Sequence, residues 1–337
     1  MEKMKDKVCI TILNWNGLFW LKKNLAKVVK FSQGVKIVVI DNNSSDQSVL
    51  YIKNNFKSIN IILNPNNYGF TKGYNTALKQ IKCDYYLILN NDVEVTKDFI
   101  KPLFNFLQKN KKFVAVQPKI LDLKSKGKFE YAGAAGGFLD YFGIPFCRGR
   151  VGSFIESDEG QYEKETSIFW ASGACFLVER NSFFKAGGFD ETFWMHQEEI
   201  DLCWRIQGLG KKIGYSPNSQ VYHYGAGTLK NDDWKKNFYN HRNNLLMLFK
   251  NLPLFDLIIV LLNRPIIDFL ISINHLRRLQ VFNFLSILLA YVSFIILIPK
   301  YIKKRKPINL KLDGKYNIHI IFLFIIRQRK KFSQIFY

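Results

Sequence analysis

A carboxylate that follows an apolar segment is the first feature of this sequence that can do chemistry. Asp92 ends the cluster Asn90-Asn91-Asp92, directly after the apolar run Tyr85–Leu89. An aspartate there can hold Mg²⁺ or Mn²⁺, which take oxygen ligands and keep coordination positions free for phosphates. Such an ion would neutralise charge on a diphosphate leaving group. A single Asp after a strand also serves as a cap or turn residue, so both interpretations stay open.

Asp41 stands at the end of a second apolar run, Val35–Ile40. Its carboxylate can accept a hydrogen bond from a base N–H or a ribose hydroxyl, and it can equally cap the helix that starts nearby. Turn chemistry explains any one polar cluster of this kind, whereas several together favour a binding site. Such clusters follow four apolar runs of the first hundred residues: Asn14–Gly17, Asp41–Asp46, Asn64–Phe70 and Asn90–Asp92.

The segment Gly69–Asn75 carries two glycines between a predicted strand and a predicted helix. It contains neither GxGxxG nor the GKS/T ending of a P-loop, so the sequence supports neither of those phosphate-binding motifs. Gly69 and Gly73 allow a ligand to approach the backbone closely, and they also suit a tight turn.

Three carboxylates lie in the first turn of a predicted helix, at Glu198, Glu199 and Asp201. Each can interact favourably with the helix dipole, by about 0.3–1 kcal/mol. Crowded carboxylates also raise one another's pKa, which is how a general base is tuned. Glu198, Asp201 and Arg205 share one helix face, and Glu199 projects from another. We expect one carboxylate to pair with Arg205 and another to face a cleft.

His223 ends a short apolar segment just before Gly225 and Gly227. A lone histidine is most often a satisfied core or surface residue. It becomes a candidate second metal or diphosphate ligand only if the chain returns to the crevice that holds Asp92.

The elements that must position these residues are typical of an α/β fold. Apolar strands separated by helices predict a Rossmann-like, doubly wound, mostly parallel sheet, with ligands beyond the carboxyl ends of its strands. Residues 122–167 are rich in Gly, Lys, Glu and Ser and predict a long insertion or a surface excursion. The predicted strands are Val8–Leu13, Val35–Ile40, Ile59–Leu63, Tyr85–Leu89, Phe113–Val116 and Lys212–Tyr215, and the predicted helices between the first five are Leu18–Lys30, Gln47–Phe56, Thr71–Lys82 and Asp98–Lys109.

The 337 residues include 49 Lys and Arg against 27 Asp and Glu, a net charge of +22, and 48% of them are hydrophobic. This apolar content excludes wholesale disorder. Residues 235–337 carry 18 basic and 3 acidic groups, which predicts a C-terminal region with an anionic partner after a catalytic domain at 1–234. The five scattered cysteines form no CxxC pair and indicate a reducing compartment.

Apolar helical segments alternate with basic clusters in the C-terminal region. Leu254–Arg278 carries a polar stripe, and Pro265 is expected to kink or break its helix. Val281–Ile298 would measure about 27 Å as a helix, close to the roughly 30 Å of a bilayer core. Basic clusters follow at Lys300–Lys306 and Arg327–Lys331. We expect this region to bind the anionic cytoplasmic face of a membrane; the alternative is a helical subdomain packed on the catalytic domain.

Seven ordered stretches resemble the family 2 inverting glycosyltransferases, especially the rhamnosyltransferase-like members, which have a glycosyltransferase A-type fold. The matching stretches are VCITILNWNG (8–17), VVIDNNSSDQS (38–48), NPNNYGFTKGYNTAL (64–78), YYLILNNDVEV (85–95), SGACFLVER (172–180), GGFDETFWMHQEEIDLCWR (187–205) and VYHYGAGT (221–228). The resemblance implies an enzyme that moves a sugar from dTDP-rhamnose or a UDP-sugar to a hydroxyl of a glycan or lipid-linked acceptor, in surface polysaccharide synthesis.

The resemblance also implies roles for individual residues. Asp92 would bind Mg²⁺ or Mn²⁺ together with His223, and Asn90 stands where the family has the first Asp of its metal motif. Glu199, at the position of the family's catalytic base, would deprotonate the acceptor hydroxyl. Further contacts are implied with the nucleotide at Asp41, Asn67, Gly69, Gly73, Asn75 and Asn91, and with the acceptor at Gly173, Trp194, Glu198 and Asp201, with Trp170 and Trp204 as further stacking candidates.

Other classes of function stay open at this point. A nucleotidyltransferase would bring a basic, glycine-rich triphosphate loop near the N-terminus, and Asn14–Gly17 has no basic cluster before Lys22. A basic protein without catalytic activity would bind a membrane or nucleic acid through its C-terminal region. The sequence has no helix-turn-helix, zinc-finger or RNP motif, so no nucleic acid partner is expected. The presence of Asp92, Glu199 and His223 disfavours an inactive transferase.

Overall fold

The computed structural model describes residues 2–225 and 233–336, which form two β-sheets and the helices that cover them. The strands are β1 (Val8–Asn14), β2 (Lys36–Asp41), β3 (Asn60–Leu63), β4 (Tyr85–Asn90), β5 (Val93–Val95), β6 (Phe113–Asp122), β7 (Gly137–Leu139), β8 (Pro145–Cys147), β9 (Arg150–Val151), β10 (Phe154–Ile155), β11 (Thr166–Ile168), β12 (Cys175–Glu179) and β13 (Lys212–His223). The helices are α1 (Glu2–Lys5), α2 (Leu18–Phe31), α3 (Ser48–Asn55), α4 (Gly69–Leu78), α5 (Lys101–Lys109), α6 (Arg180–Lys185), α7 (Glu198–Gly208), α8 (Trp234–Asn251), α9 (Leu254–Arg277), α10 (Val281–Ile302), α11 (Ile320–Ile325) and α12 (Ser333–Phe336), with a 3₁₀ turn at Glu191–Phe193.

The larger sheet has the strand order β11-β13-β6-β12-β4-β1-β2-β3, and β5 pairs with β13. Strands β3, β2, β1 and β4 run parallel, and so do β6 and β13. The predicted doubly wound, mostly parallel fold is confirmed. The antiparallel pairs made by β5, β11 and β12 were not specified by the sequence analysis.

Two hydrophobic cores cover the faces of this sheet because its central strands are apolar at successive positions. In β2, Val38 and Ile40 belong to one core, and Ile37 and Val39 belong to the other. The alternation of side chains along a strand produces this division. Burial on both faces is the environment that parallel strands require.

Residues 122–167 were expected to form a long insertion or a surface excursion, and the second of these interpretations is wrong. This segment folds into the second sheet, in the order β10-β9-β8-β7, and packs against the larger one. Phe129, Phe138 and Phe146 of this segment are buried almost completely. Its strands are only two or three residues long and are separated by glycine turns, so no hydrophobic period was visible in the sequence.

The C-terminal helices share a core with the sheet domain. Leu245 and Leu248 of α8 lie in the same cluster as Trp204 of α7. α9 continues through Pro265 as one helix, so the predicted break is wrong, and the predicted kink stays a prediction. Arg264 Nη2 lies 3.1 Å from Asp268 Oδ1, across the proline. The domain boundary at residue 234 stays a prediction.

Within the described residues, α10 is the one helix that is long and apolar enough to cross a membrane. Its polar face packs against α8, where Asn237 Nδ2 donates to Asn283 O and Ser286 Oγ at 2.9 Å each. The opposite face exposes large apolar side chains, including Phe282 and Ile296. The polar stripe of α10 is therefore a helix–helix contact, and its apolar stripe lies on the molecular surface.

Buried ion pairs join α7, α8 and the segment after α10. Nζ of Lys250 lies 2.9 Å from Asp190 Oδ2 and 2.8 Å from an Asp201 carboxylate oxygen. Nζ of Lys304 lies 2.6 Å from Asp190 Oδ1. The Lys250, Asp190 and Asp201 side chains are nearly inaccessible to solvent, so each charge depends on its partners for compensation.

We expect Lys250→Met to lower the free energy of unfolding by about 3 kcal/mol, because two buried carboxylates lose a shared cation. Lys303→Met, at an exposed position next to Lys304, is the control and is expected to change this free energy by less than about 0.5 kcal/mol. Urea unfolding of the full chain measures both effects. Similar losses in the two variants would contradict the assigned role of Lys250.

Candidate active site

A cavity of about 1040 Å³ lies at the carboxyl edge of β1 and β4. Much of its lining comes from the sheet edge around Asp92, the start of α7 at Glu198 and Glu199, and the first half of α8. The second sheet closes another side, so the segment that was expected at the surface forms a wall of the site.

Backbone pairing aligns the polar residues at this edge. In β1, Leu13 pairs with Asn90 of β4 and Asn14 pairs with Asp41 of β2. The long strand β13, predicted only as Lys212–Tyr215, pairs with β5 so that His223 stands opposite Val93. The chain thus returns to the crevice beside Asp92, which is the condition under which His223 is a candidate ligand.

Asp92 and His223 form the charged centre of this edge. His223 Nε2 lies 3.2 Å from Asp92 Oδ1, and His223 Nδ1 lies 3.3 Å from Glu130 Oε1. Burial acts to lower the pKa of His223, but the carboxylates of Asp92 and Glu130 outweigh it and raise this pKa to about 10. Both carboxylates are buried, so the edge strongly favours a positive charge between them.

The donor set fits a divalent ion that is shared with a substrate. The described residues contain no group of three or more His, Cys, Asp or Glu side chains arranged as metal ligands. Mg²⁺ is commonly held by one or two carboxylates together with substrate phosphates and water, so Asp92 alone is a sufficient protein ligand. His223 can join it only as a neutral imidazole, after the ion displaces its proton. The buried carboxylate of Asp92 supplies the hard oxygen ligand that Mg²⁺ and Mn²⁺ prefer.

Three charged residues at this edge were missed by the sequence analysis. Glu130 lies in the segment taken for a surface excursion, and Lys124 and Lys236 also line the cavity. The positive charge of Lys124 helps to lower the pKa of Asp92. The charge of Glu130 acts to raise the pKa of Lys236, and that of Lys124 acts to lower it. Both lysines therefore lie near the Asp92–His223 pair. The type of either lysine carries no signal of its own, because the chain has 49 Lys and Arg residues in all.

The cavity is lined by three of the residues that were expected to contact a nucleotide, namely Asn67, Gly69 and Asn91. Asp41 lies behind this surface, where Asp41 Oδ2 accepts from Asn14 Nδ2 at 3.1 Å and from Ser44 Oγ at 2.7 Å. Its contact with a base stays a prediction.

Gly73 and Asn75 do not line the cavity, contrary to the expectation for the whole turn. Because α4 begins at Gly69, both residues lie inside a helix and face the protein interior. A Cβ atom on Gly73 would lie 2.8 Å from the Asn42 side chain, and Asn75 Nδ2 donates to Phe189 O at 2.8 Å. They serve packing and backbone hydrogen bonding.

The three carboxylates of α7 have separate environments. Glu198 and Glu199 line the cavity, and Oε2 of each has no hydrogen-bond partner among the described residues. Asp201 is fully buried away from the cavity, 2.7 Å from Arg205 Nη2 and 2.8 Å from Lys250 Nζ. Asp201 is therefore a structural ion-pair residue, and its expected contact with an acceptor is not supported.

Burial raises the pKa of both glutamates that face the cavity. The pKa of Glu198 lies well above its usual value, because burial and the charge of Glu199 both oppose its ionisation. The pKa of Glu199 is raised to about 7 by burial, although a hydrogen bond with Glu198 acts in the opposite direction. The two carboxyl groups titrate as a pair that keeps one proton up to near neutral pH, and a carboxyl group that ionises there suits a general base.

Among the residues expected near an acceptor, Gly173 and Trp194 line the cavity beside the glutamates. A Cβ atom on Gly173 would lie 3.8 Å from Glu198 Oε1, and the Trp194 ring packs directly over Gly69. Trp170 reaches the cavity wall while its Nε1 donates to Phe138 O at 3.1 Å. Trp204 is buried in the core and does not line the cavity.

A strained loop leads into α7. Trp194, His196 and Gln197 have φ of 63°, 67° and 67°, a region that residues with a Cβ atom rarely adopt. Asn243 of α8 holds this loop: its Nδ2 lies 2.9, 2.8 and 2.8 Å from the carbonyl oxygens of Phe193, Met195 and His196. No local pattern predicts this contact, because it joins residues about fifty positions apart.

Comparisons with known proteins agree with this geometry. The model of the Glycosyl transferase family 2 matches residues 8–187, more than half of the chain. The chain is similar to rhamnosyltransferase WbbL of Escherichia coli K12, with 25% identity over 224 residues, 64% of this chain and 83% of the relative. It is also similar to the N-acetylglucosaminyl-diphospho-decaprenol L-rhamnosyltransferase of Mycobacterium tuberculosis, with 23% identity over 229 residues, 64% of this chain and 74% of the relative. The resemblance to rhamnosyltransferase-like members is confirmed.

A solved structure shares the fold. The crystal structure of GalNAc-T7 with UDP, GalNAc and Mn²⁺ superposes with a TM-score of 0.57 at 17% sequence identity, covering 74% of this chain and 48% of that one. The chain thus spans about half the length of that protein, and the likeness concerns the fold alone. The last matching stretch of the sequence, 221–228, is only partly placed, because residues 226–228 lie outside the described residues.

We expect Asn243→Ala to destabilise the loop that precedes α7, because three carbonyl groups lose their shared donor. The free energy of unfolding should fall by about 1–3 kcal/mol, and amide hydrogen exchange at residues 193–200 should accelerate. Asn263→Ala is the matched control, since exposed Asn263 donates only within its own helix. Unchanged exchange at these amides in Asn243→Ala would contradict the assigned role.

Proposed function

Because the chain belongs to glycosyl transferase family 2, we propose that it transfers a sugar from a nucleoside diphosphate sugar to a hydroxyl of a glycan or lipid-linked acceptor, with inversion. The observation that carries this proposal is that one cavity contains both the Asp92–His223 pair and the two adjacent carboxyl groups of Glu198 and Glu199. Similarity to two rhamnosyltransferases favours dTDP-rhamnose, or a UDP-sugar, as donor and surface polysaccharide synthesis as the role. Family membership favours sugar transfer over nucleotidyl transfer.

The donor would lie along the sheet edge. Asn67 and Gly69 line the part of the cavity that the nucleoside would occupy, and Lys124 and Lys236 lie where the diphosphate would approach Asp92. A divalent ion held by Asp92 and His223 would neutralise charge on the departing diphosphate. The structural relative determined with UDP and Mn²⁺ supports this use of the shared fold.

The acceptor would lie against the α7 side of the cavity. Glu199 takes the proton from the acceptor hydroxyl, whose oxygen then attacks the anomeric carbon of the donor on the side opposite the diphosphate. Burial keeps one proton on the Glu198–Glu199 pair, so the other carboxyl group is left to act as the base. One displacement with one base and no enzyme nucleophile inverts the anomeric configuration. Gly173 and Trp194 provide a flat surface for the acceptor sugar beside this base.

The surface of the C-terminal helices supports work at a membrane. The outer faces of α9 and α10 expose large apolar side chains such as Phe255, Leu262 and Ile296. Basic residues follow α10 at Lys300–Lys306 and follow α11 at Arg327–Lys331. An apolar face with flanking cations binds anionic lipid, at about 1 kcal/mol for each basic residue at the surface. We place the protein at the cytoplasmic face of a membrane.

We expect Glu199→Gln to retain donor affinity and to lose transfer activity by about 10²–10⁴-fold, the usual contribution of a general base. In the unchanged protein, kcat/KM should rise with pH through about 7, because the base must lose its proton. Calorimetry measures donor affinity, and release of nucleoside diphosphate in the presence of acceptor measures transfer. The control is Glu159→Gln, at an exposed position. Equal losses of affinity and transfer in Glu199→Gln would show a structural role instead.

We expect Asp92→Asn to abolish the dependence of turnover on divalent cation, because the carboxylate that would hold the ion is lost. The measurement is nucleoside diphosphate release as Mn²⁺ is increased from chelator-treated protein. Asp98→Asn, in an exposed loop, is the matched control and should keep the full response. An Asp92→Asn protein that still responds to Mn²⁺ like the control would remove the metal assignment.

A further inference from the structure

Part of the cavity wall is apolar where α11 packs against the second sheet. We call this part the apolar arm; its walls are Phe146 of β8, Ile271 of α9, and Ile320, Ile321, Phe324 and Ile325 of α11. None of these side chains can bind a sugar or a phosphate by hydrogen bonding. Arg264 and Asp268 of α9 also line the cavity, and their charges compensate each other at 3.1 Å. With a volume of about 1040 Å³, the whole cavity stands at the top of the range of roughly 300–1,000 Å³ for sites that hold one small ligand.

The apolar arm is built by packing contacts rather than by a loose segment. The Ile320 amide donates to Asp140 Oδ2 at 3.1 Å, and the Tyr141 amide donates to Ile318 O at 3.1 Å, which fixes α11 on the second sheet. The Phe324 ring lies directly over Gly152, where an added Cβ atom would approach within 2.9 Å. The glycine thus makes room for a wall of the arm.

One residue shows where the apolar arm opens. Ile325 lines the cavity and is also 55% exposed, so it lies at the mouth of the arm. Its neighbours Phe322 and Ile326 are exposed as well, and on α9 the side chains of Ile266 and Leu270 are exposed on the helix that carries Ile271. The mouth therefore adjoins an apolar outer surface.

Cations line the same cavity at its other parts. Lys235 and Lys236 of α8 border it, and Arg327 and Arg329 follow the mouth in sequence. A molecule with a hydrocarbon chain joined through phosphate to a sugar matches these surfaces: the apolar arm suits its chain, the lysines suit its phosphate, and Glu199 suits its sugar hydroxyl. A free glycan would leave the apolar arm without a partner.

We propose that the apolar arm binds the hydrocarbon chain of a lipid phosphate-linked acceptor, which enters from the membrane surface beside Ile325 while its sugar reaches Glu199. This proposal rests on the proposed glycosyl transfer and narrows its acceptor to a lipid-linked one. Ile271, Ile321 and Phe324 then determine specificity for the chain and take no part in the chemistry.

The test uses the full chain in detergent micelles and a photoactivatable isoprenyl phosphate with a benzophenone at the end of its chain. Cross-linked residues are identified by mass spectrometry, with undecaprenyl phosphate as competitor. We expect labelling at residues 271 and 320–325 that the competitor removes. Labelling spread over the outer apolar residues such as Phe255 and Ile296, or labelling that the competitor does not reduce, would overturn the proposal.

Two substitutions on adjacent positions of α11 separate the arm from the outer surface. Ile321→Asn is expected to reduce specific labelling at least tenfold, whereas Phe322→Asn, at a residue that is 47% exposed and does not line the cavity, is expected to leave it unchanged. Ile271→Asn, on a different helix, repeats the test if Ile321→Asn fails to fold. Equal labelling of the folded variants would overturn the proposal.

Donor binding to the same samples distinguishes this proposal from the one on which it rests. Protein that binds a nucleotide sugar but shows no specific labelling of the arm would disprove the lipid site alone. Protein with specific labelling that binds no nucleotide sugar would keep the lipid site and disprove the transferase assignment.

Discussion

The ion pairs of Lys250 with Asp190 and Asp201 connect the C-terminal helices to the helix that carries the candidate base. Asp201 lies two residues after Glu199, so its fixed position also fixes the first turn of α7. Buried charges of this kind are unfavourable unless every partner is present, which makes the arrangement specific even where it adds little stability. The acceptor side of the cavity depends on this contact and on the hydrogen bonds of Asn243 with the loop before α7.

The sheet edge and the α7 side of the cavity favour binding groups of different charge. At the sheet edge, Asp92 and Glu130 favour a cation, and Lys124 and Lys236 favour the anion that such a cation accompanies. At α7, burial keeps one proton on the Glu198–Glu199 pair. A diphosphate leaving group and a hydroxyl nucleophile make these two different demands, so the separation suits a displacement between them.

The sequence predicted the parts of the site that local pattern controls. Apolar strands followed by polar residues identified the sheet edge and Asp92, and crowded carboxylates identified α7. The pattern placed Asp201 and Arg205 on one helix face but could not divide roles among the carboxylates, because the contacts that bury Asp201 come from Lys250 and Asn251, some fifty residues away. Glu130 and the second sheet were missed because strands of two or three residues have no measurable period. Gly73 and Asn75 were misplaced because the start of α4 at Gly69 decides which way they face.

The proposed activity requires that a nucleotide sugar and a divalent cation bind this cavity together. A thermal-shift measurement of the purified protein against UDP-, dTDP- and GDP-sugars, each with and without Mn²⁺, tests this joint binding. A ligand present at a hundred times its dissociation constant stabilises the folded state by about 2.7 kcal/mol, which raises the melting temperature measurably. We expect one class of nucleotide sugar to raise the melting temperature, and only when Mn²⁺ is present. Cooperative melting with no increase for any of the three, with or without the ion, would contradict it.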